Sequence, residues 1–152
     1  MLASNKMKDI RNVVTRGRLS VLLIVVLLVI DQIIKILVKT NMCLGDAIHI
    51  TDWFYIDFVE NNGMAFINKF LLSLLRIAAI CIIGWYIHRQ IKVRARYCYI
   101  ILLSMVFAGA AGNIFDSMFY GLVFDASTPF DVSSVVPFGT GYAPFLMGKV
   151  VD

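Results

Sequence analysis

Three apolar stretches, each about as long as a bilayer is thick, constrain this chain more than any other feature. Residues 19–38, 70–88 and 97–115 are almost continuously hydrophobic. About 20 such residues cross the hydrocarbon core as one helix. Composition points the same way. Of 152 residues, 60% are hydrophobic and only 16% charged, whereas a soluble domain is about half apolar and about a quarter charged. One small core cannot hide that excess. A soluble enzyme, a secreted disulfide scaffold and a disordered chain are therefore disfavoured. The expected fold class is an all-α polytopic membrane protein with three transmembrane helices, in a single domain. Cys43, Cys81 and Cys98 are an odd number without metal-type spacing. They read as small buried hydrophobes.

The net charge of +4 is explained by location rather than by nucleic acid. Residues 1–18, an expected cytoplasmic tail, carry Lys6, Lys8, Arg11, Arg16 and Arg18 against Asp9. The connection between the second and third stretches carries Arg89, Lys92, Arg94 and Arg96 and no acid. Acids dominate the other connections: Asp46, Asp52, Asp57 and Glu60, then Asp116, Asp125, Asp131 and Asp152. Basic residues collect on the cytoplasmic side. This predicts a cytoplasmic N-terminus and places residue 116 onward outside. The basic loops suit anionic lipid headgroups, so membrane lipids are expected partners and nucleic acid is not. No small-residue cleavage pattern follows the first stretch, so it is expected to be a retained helix rather than a signal peptide.

The outer segments differ from one another. Residues 50–58 are aromatic and β-prone and predict short strands near the interface, where Trp53 and Tyr55 suit the headgroup layer. Residues 126–147 contain Pro129, Pro137 and Pro144 with Gly139 and Gly141, and predict a loop.

Several polar residues interrupt this apolar frame. Asp31 and Lys35 are four apart, on one helix face within ion-pair reach. Charges inside a span are costly and mark function by default; a structural pair with a snorkelling lysine is the plainer alternative. Arg76, in the second stretch, either pairs with an acid or snorkels. Asn61-Asn62-Gly63 is a turn signal, and an amide there could orient a substrate backbone. Asn113 and Asp116, three apart, share a face at the outer end of the third helix. Asp125 and Asp152 each close a short β-prone run. Two carboxylates that share a proton can hydrolyse a peptide, because close like charges cannot both ionise. His49 and His88 fall on opposite sides of the membrane, and no nucleophile triad, metal-ligand cluster or phosphate loop competes.

Read in order, these motifs resemble lipoprotein signal peptidase, the signal peptidase II family. They run Asp31-Gln32-x-x-Lys35, Asn61-x-Gly63-x-Ala65-Phe66, Gly109-Ala110-x-Gly112-Asn113-x-x-Asp116 and Gly148-x-Val150-Val151-Asp152. The resemblance implies a bacterial inner-membrane aspartic protease with four transmembrane helices and a small extracytoplasmic β-rich cradle. Such an enzyme cuts prolipoprotein substrates before a diacylglyceryl-modified cysteine. By this resemblance Asp152 matches one catalytic aspartate. Asn61, Gly63, Asn113 and Asp116 match positions along or supporting the substrate path, and Asp31 and Lys35 match the first-helix polar pair. No metal or organic cofactor is implied.

Three departures stand out. Ser117 occupies a place where the family usually has Arg; together with the insertion at 126–147 this resembles the Bacteroidetes branch. Asp125 lies where ungapped spacing would put the catalytic aspartate, but Gly148-Lys149-Val150-Val151-Asp152 is the closer motif match. The family's Asn-x-Ala-Asp motif, with the second aspartate, and the fourth span do not appear in residues 1–152. The expectation is a C-terminally incomplete domain that is inactive alone. The competing expectation is a non-enzymatic membrane protein, an assembly factor or transporter subunit, that uses Asp31, Lys35 and Arg76 as an ion path.

Overall fold

The computed structural model describes residues 2–61 and 68–152. Three helices carry the fold: α1 (Leu2–Asn41), α2 (Lys69–Lys92) and α3 (Tyr97–Val123). The parts long and apolar enough to cross a membrane are Ile10–Asn41, Lys69–Lys92 and Tyr97–Val123. Each exceeds the apolar stretch that marks it in the sequence. The tail expected at residues 1–18 is helical from Leu2 and continuous with the first span. At about 1.5 Å per residue, 40 residues outrun a hydrocarbon core of about 30 Å, so the basic first turns project beyond it.

α3 is the central helix. It packs against both α1 and α2, which barely meet each other. Small residues make this possible: Ser20 and Ser104 share a buried hydroxyl–hydroxyl hydrogen bond of 2.7 Å between α1 and α3. Outward faces stay apolar, with Leu22, Val25, Val29, Ile33 and Leu37 exposed along α1. In water such a stripe would demand a partner; in lipid it is the surface a spanning helix needs. Cys81 and Cys98 also lie on exposed surface and Cys43 is half-buried. This corrects the expectation of buried cysteines: in a bilayer an apolar thiol has no need of the protein interior.

The end of the bundle where α1 stops and α2 starts holds the small β-structure. β1 (Ala47–Thr51) pairs antiparallel with β2 (Phe54–Asp57) as a hairpin. β3 (Glu60–Asn61) pairs antiparallel with β4 (Val150–Val151), placing Glu60 opposite Val151. Beneath these strands lies the hydrophobic core of Met42, Phe58, Tyr120, Phe124 and Val151.

The segment between α3 and β4 is mostly irregular, as its prolines and glycines predict, apart from a bridge between Phe124 and Val135. It folds back over the last turn of α3. The amides of Val136, Gly139, Ala143 and Tyr142 donate to the carbonyls of Val123, Leu122, Gly121 and Phe124 at 2.9–3.1 Å. A helix end otherwise leaves such carbonyls without partners.

Candidate active site

The polar residues of α1 and α3 meet at the end of the bundle that carries the β-structure. Their helical spacing brings this about: Asp31, Gln32 and Lys35 lie near one face of α1, and Gly112, Asn113 and Asp116 near one face of α3. Lys35 Nζ donates to Asp116 Oδ2 at 2.7 Å and to Asn113 Oδ1 at 2.8 Å. It also forms an ion pair with Asp31 at 3.6 Å. Gln32 Nε2 donates to Asp116 Oδ1 at 2.9 Å and to Asp31 Oδ2 at 3.1 Å. The Tyr120 hydroxyl donates to Gln32 Oε1 at 3.1 Å. Asp116 is fully buried, and the Val151 amide completes its shell at 3.2 Å. One carboxylate therefore ties α1, α3 and β4 together.

Two glycines permit this close packing. A Cβ at Gly112 would collide with the Asp31 carboxylate. A Cβ at Gly148 would lie 2.6 Å from the Asp116 carbonyl oxygen. Gly148 instead donates its amide to the Ser117 carbonyl at 3.0 Å, which seats the approach to β4 on α3.

Next to this cluster opens a cleft of 480 Å³. Asp31, Lys35, Asn113 and Asp152 line it, with Asp57 on the rim. Its apolar wall is Ile34, Val38, Ile56 and Val151. Asp152 is exposed there, and its amide donates to the Val59 carbonyl at 3.0 Å. Asp125 does not line this cleft. Its carboxylate accepts from the Ser134 amide at 2.7 Å and organises the loop. Asn61 lies in β3 next to Glu60, whereas Gly63, Ala65 and Phe66 lie outside the described residues.

Among the described residues Arg76 forms no ion pair with an acid. Its Nη1 donates to Ser117 Oγ at 2.9 Å, and that hydroxyl donates to the Asn113 carbonyl at 3.0 Å. A guanidinium from α2 thus reaches the position where the sequence departs from the expected Arg. The His49 ring lies 5.4 Å from that of Tyr55, tilted by 33°, on the hairpin, and His88 lies in the last turns of α2. Among the described residues no group of three His, Cys, Asp or Glu is placed to hold a metal.

Sequence reasoning left several residues out. Gln32 and Tyr120 hold Asp116 and Asp31 in register. A second cluster, Lys39, Glu60, Ser127 and Lys149, gathers around Glu60 of β3. Gln32 and Lys39 had a signal, as polar groups in an apolar helix. Ser127 and Lys149 had none, because only the fold brings them to Glu60.

The model of the family described as signal peptidase (SPase) II matches residues 23–140. The chain belongs to the signal peptidase II family. Among its relatives, the lipoprotein signal peptidase of Porphyromonas gingivalis is 42% identical over 142 residues, covering 90% of this chain and 62% of the relative. That of Fusobacterium nucleatum is 32% identical over 111 residues, covering 69% of this chain and 66% of the relative. This chain therefore spans under two thirds of the length of these family members. Two solved structures described as bacterial membrane enzymes, obtained by the in meso method, align with TM-score 0.53. They are 22% and 23% identical and cover 83% of this chain and 75% and 79% of theirs. At that identity the likeness carries the fold: a multi-pass helical membrane protein with small antiparallel sheets.

Proposed function

We propose that the chain forms the larger part of an aspartic membrane endopeptidase. It removes signal peptides from diacylglyceryl-modified prolipoproteins by cutting before the lipidated cysteine. The observation that carries this reading is the cleft in which exposed Asp152 faces Asp31, Lys35 and Asn113 beside an apolar wall. In this reading Asp152 is one of two catalytic carboxylates. The ionised member takes a proton from water as the water attacks the scissile carbonyl. The protonated member gives its proton to the developing oxyanion. The relatives it matches are longer than this chain, and in this reading the second carboxylate lies in the part of those relatives that this chain does not cover. In this reading Asn113, which lines the cleft, orients the peptide backbone, and Asn61 is assigned the same role from its motif alone. Asp31 and Lys35 border the water path, with Asp116 supporting them from below. The charge asymmetry supports an N-terminus in the cytoplasm and a site on the periplasmic face of the inner membrane.

Asp125 takes no catalytic part here, because its carboxylate already closes a loop turn with Ser134. Family membership favours the peptidase over a proton-path protein, and the contacts of Arg76 agree, since they end on Ser117.

The test is cleavage of a diacylglyceryl-modified precursor peptide by the product of the source gene, read past codon 152. Asp152→Asn is expected to lower turnover by about 10²–10⁴-fold, while Asp125→Asn leaves it near the parent. An in-frame Asn-x-Ala-Asp downstream supplies the second carboxylate. Robust turnover by residues 1–152 alone would falsify the two-carboxylate assignment.

A further inference from the structure

The ladder that carries Asp152 is only two residues long on each strand. Such a pairing is marginal by itself. The Asp116 cluster holds it from the helix side through the Val151 amide. A second ionic cluster, centred on Glu60, holds it through the side chains of the two strands' neighbours. Glu60, almost completely buried, accepts from Lys39 Nζ and Ser127 Oγ on Oε1, at 2.5 and 2.7 Å. On Oε2 it accepts from Lys149 Nζ at 2.8 Å. Lys39 Nζ also donates to Ser127 Oγ at 2.7 Å and lies 5.5 and 5.3 Å from the centres of the Phe124 and Tyr142 rings. The Tyr142 hydroxyl accepts the Lys149 amide at 2.8 Å, three residues before Asp152. A single carboxylate thus joins the end of α1, strand β3, the insertion at Ser127, and the residue that leads into β4.

We propose that Glu60 is a positioning residue for Asp152. With Lys39, Lys149 and Ser127 it clamps the short ladder that presents the aspartate to the cleft, and the insertion at 126–147 is part of that clamp. Three features support this. The cluster's Lys39 and Glu60 side chains are buried and both Glu60 oxygens accept hydrogen bonds, which favours rigidity. It joins segments remote in sequence at the strand that bears Asp152. None of its side-chain hydrogen bonds ends on a cleft-lining residue, but Glu60 pairs with Val151 in the ladder, so its action passes through the backbone. The inference rests on the peptidase reading for its catalytic consequence, but not for the clamp.

The experiment measures amide hydrogen exchange and peptidase kinetics on the gene product in nanodiscs, for the parent, Glu60→Gln and Lys149→Met. Exchange at the Val151 and Asp152 amides is expected to rise about tenfold or more in both variants, with the interior of α1 and α3 unchanged. Turnover is expected to fall about 10²-fold through kcat, as a small misplacement of a reacting group requires. KM stays near the parent value, which general unfolding would not produce. The double variant is expected to lose less than the product of the two single losses, because both break one cluster. Should Glu60→Gln fail to fold, Lys149→Met, which cuts only the strand-side arm, decides alone. Unchanged exchange at Val151 and Asp152 overturns the clamp whatever the activity. Fast exchange with unchanged kcat overturns its positioning role. A parent that does not cleave the precursor counts against the peptidase reading, and the exchange data then judge the clamp separately.

Discussion

Asp116 takes the largest electrostatic load of any residue near the cleft. It is buried on a span, yet Lys35, Gln32 and the Val151 amide give it as many donors as a carboxylate commonly uses. Removing it leaves Lys35 without its shortest partner in a low-dielectric setting. Asp116→Ala is therefore expected to cost about 3–5 kcal/mol, read from denaturation in detergent, with Asp116→Asn losing less. Gly148→Ala acts differently, because its added carbon meets main-chain atoms that cannot rotate away. An overpacking cost of about 1–3 kcal/mol is expected, measured as a lowered midpoint without any change in helix content. Glu60 sets a pH limit. Burial alone would push its carboxyl up, but the hydrogen bonds from Lys149, Lys39 and Ser127 outweigh that and hold it below its ordinary value of 4.5. The unfolded chain thus binds this proton at higher pH than the folded one. Its stabilisation is complete above 4.5 and is lost as pH falls below that. Glu60→Gln should flatten this acid limb of the melting-temperature profile. Tyr142 works in the opposite range: burial pushes its hydroxyl up to about 12, from 10.0. The folded state keeps that proton longer, so its contribution declines as pH rises above 10.

At the scale of elements, the insertion after α3 does more than connect. It caps the last carbonyls of α3, brings Ser127 to Glu60 and rests Tyr142 on Lys149. Tyr142→Phe deletes one buried acceptor and is expected to cost about 1–2 kcal/mol, seen as faster amide exchange at Lys149. The loop itself was legible, since three prolines and its glycines leave little room for a helix or a long strand. Its contacts were not, because they pair residues such as Ser127 and Lys39 that are 88 apart in the chain. Strand β2 was legible in the aromatic, β-prone residues 50–58, whereas β1 begins earlier, at Ala47, and its pairing with β2 was not legible. The β3–β4 ladder was not, because two-residue strands leave almost no alternation to read. Within α1, the four-residue spacing of Asp31 and Lys35 announced an ion pair. The shorter bonds of Lys35, however, go to α3, a choice that depends on Gly112 letting the helices approach.

At the scale of the whole molecule, three spans and their flanking charges support the proposed orientation. A variant with its native cysteines removed and Trp53→Cys, on the exposed hairpin, should react with a membrane-impermeant maleimide in intact cells. The equivalent Arg96→Cys variant should react only after permeabilisation. The reverse pattern would invert the proposed topology and separate the cleft from an extracytoplasmic substrate.

The sequence by itself determined the membrane class, the number of spans in these residues and the family, because lipid imposes long apolar runs and chemistry requires particular residues in order. It also marked Asp31, Lys35, Asn113, Asp116 and Asp152 as residues to examine. Only the tertiary structure decided how they are used. It put Asp152 in a cleft and Asp125 in a loop turn, although each ends a similar β-prone run. It made Asp116 a buried anchor rather than a free acid, and it assembled the Glu60 cluster from four separate segments. The physical reason is that span-forming hydrophobicity is local and additive along the chain. The environment of a carboxylate is instead set by donors that only folding brings within hydrogen-bonding distance.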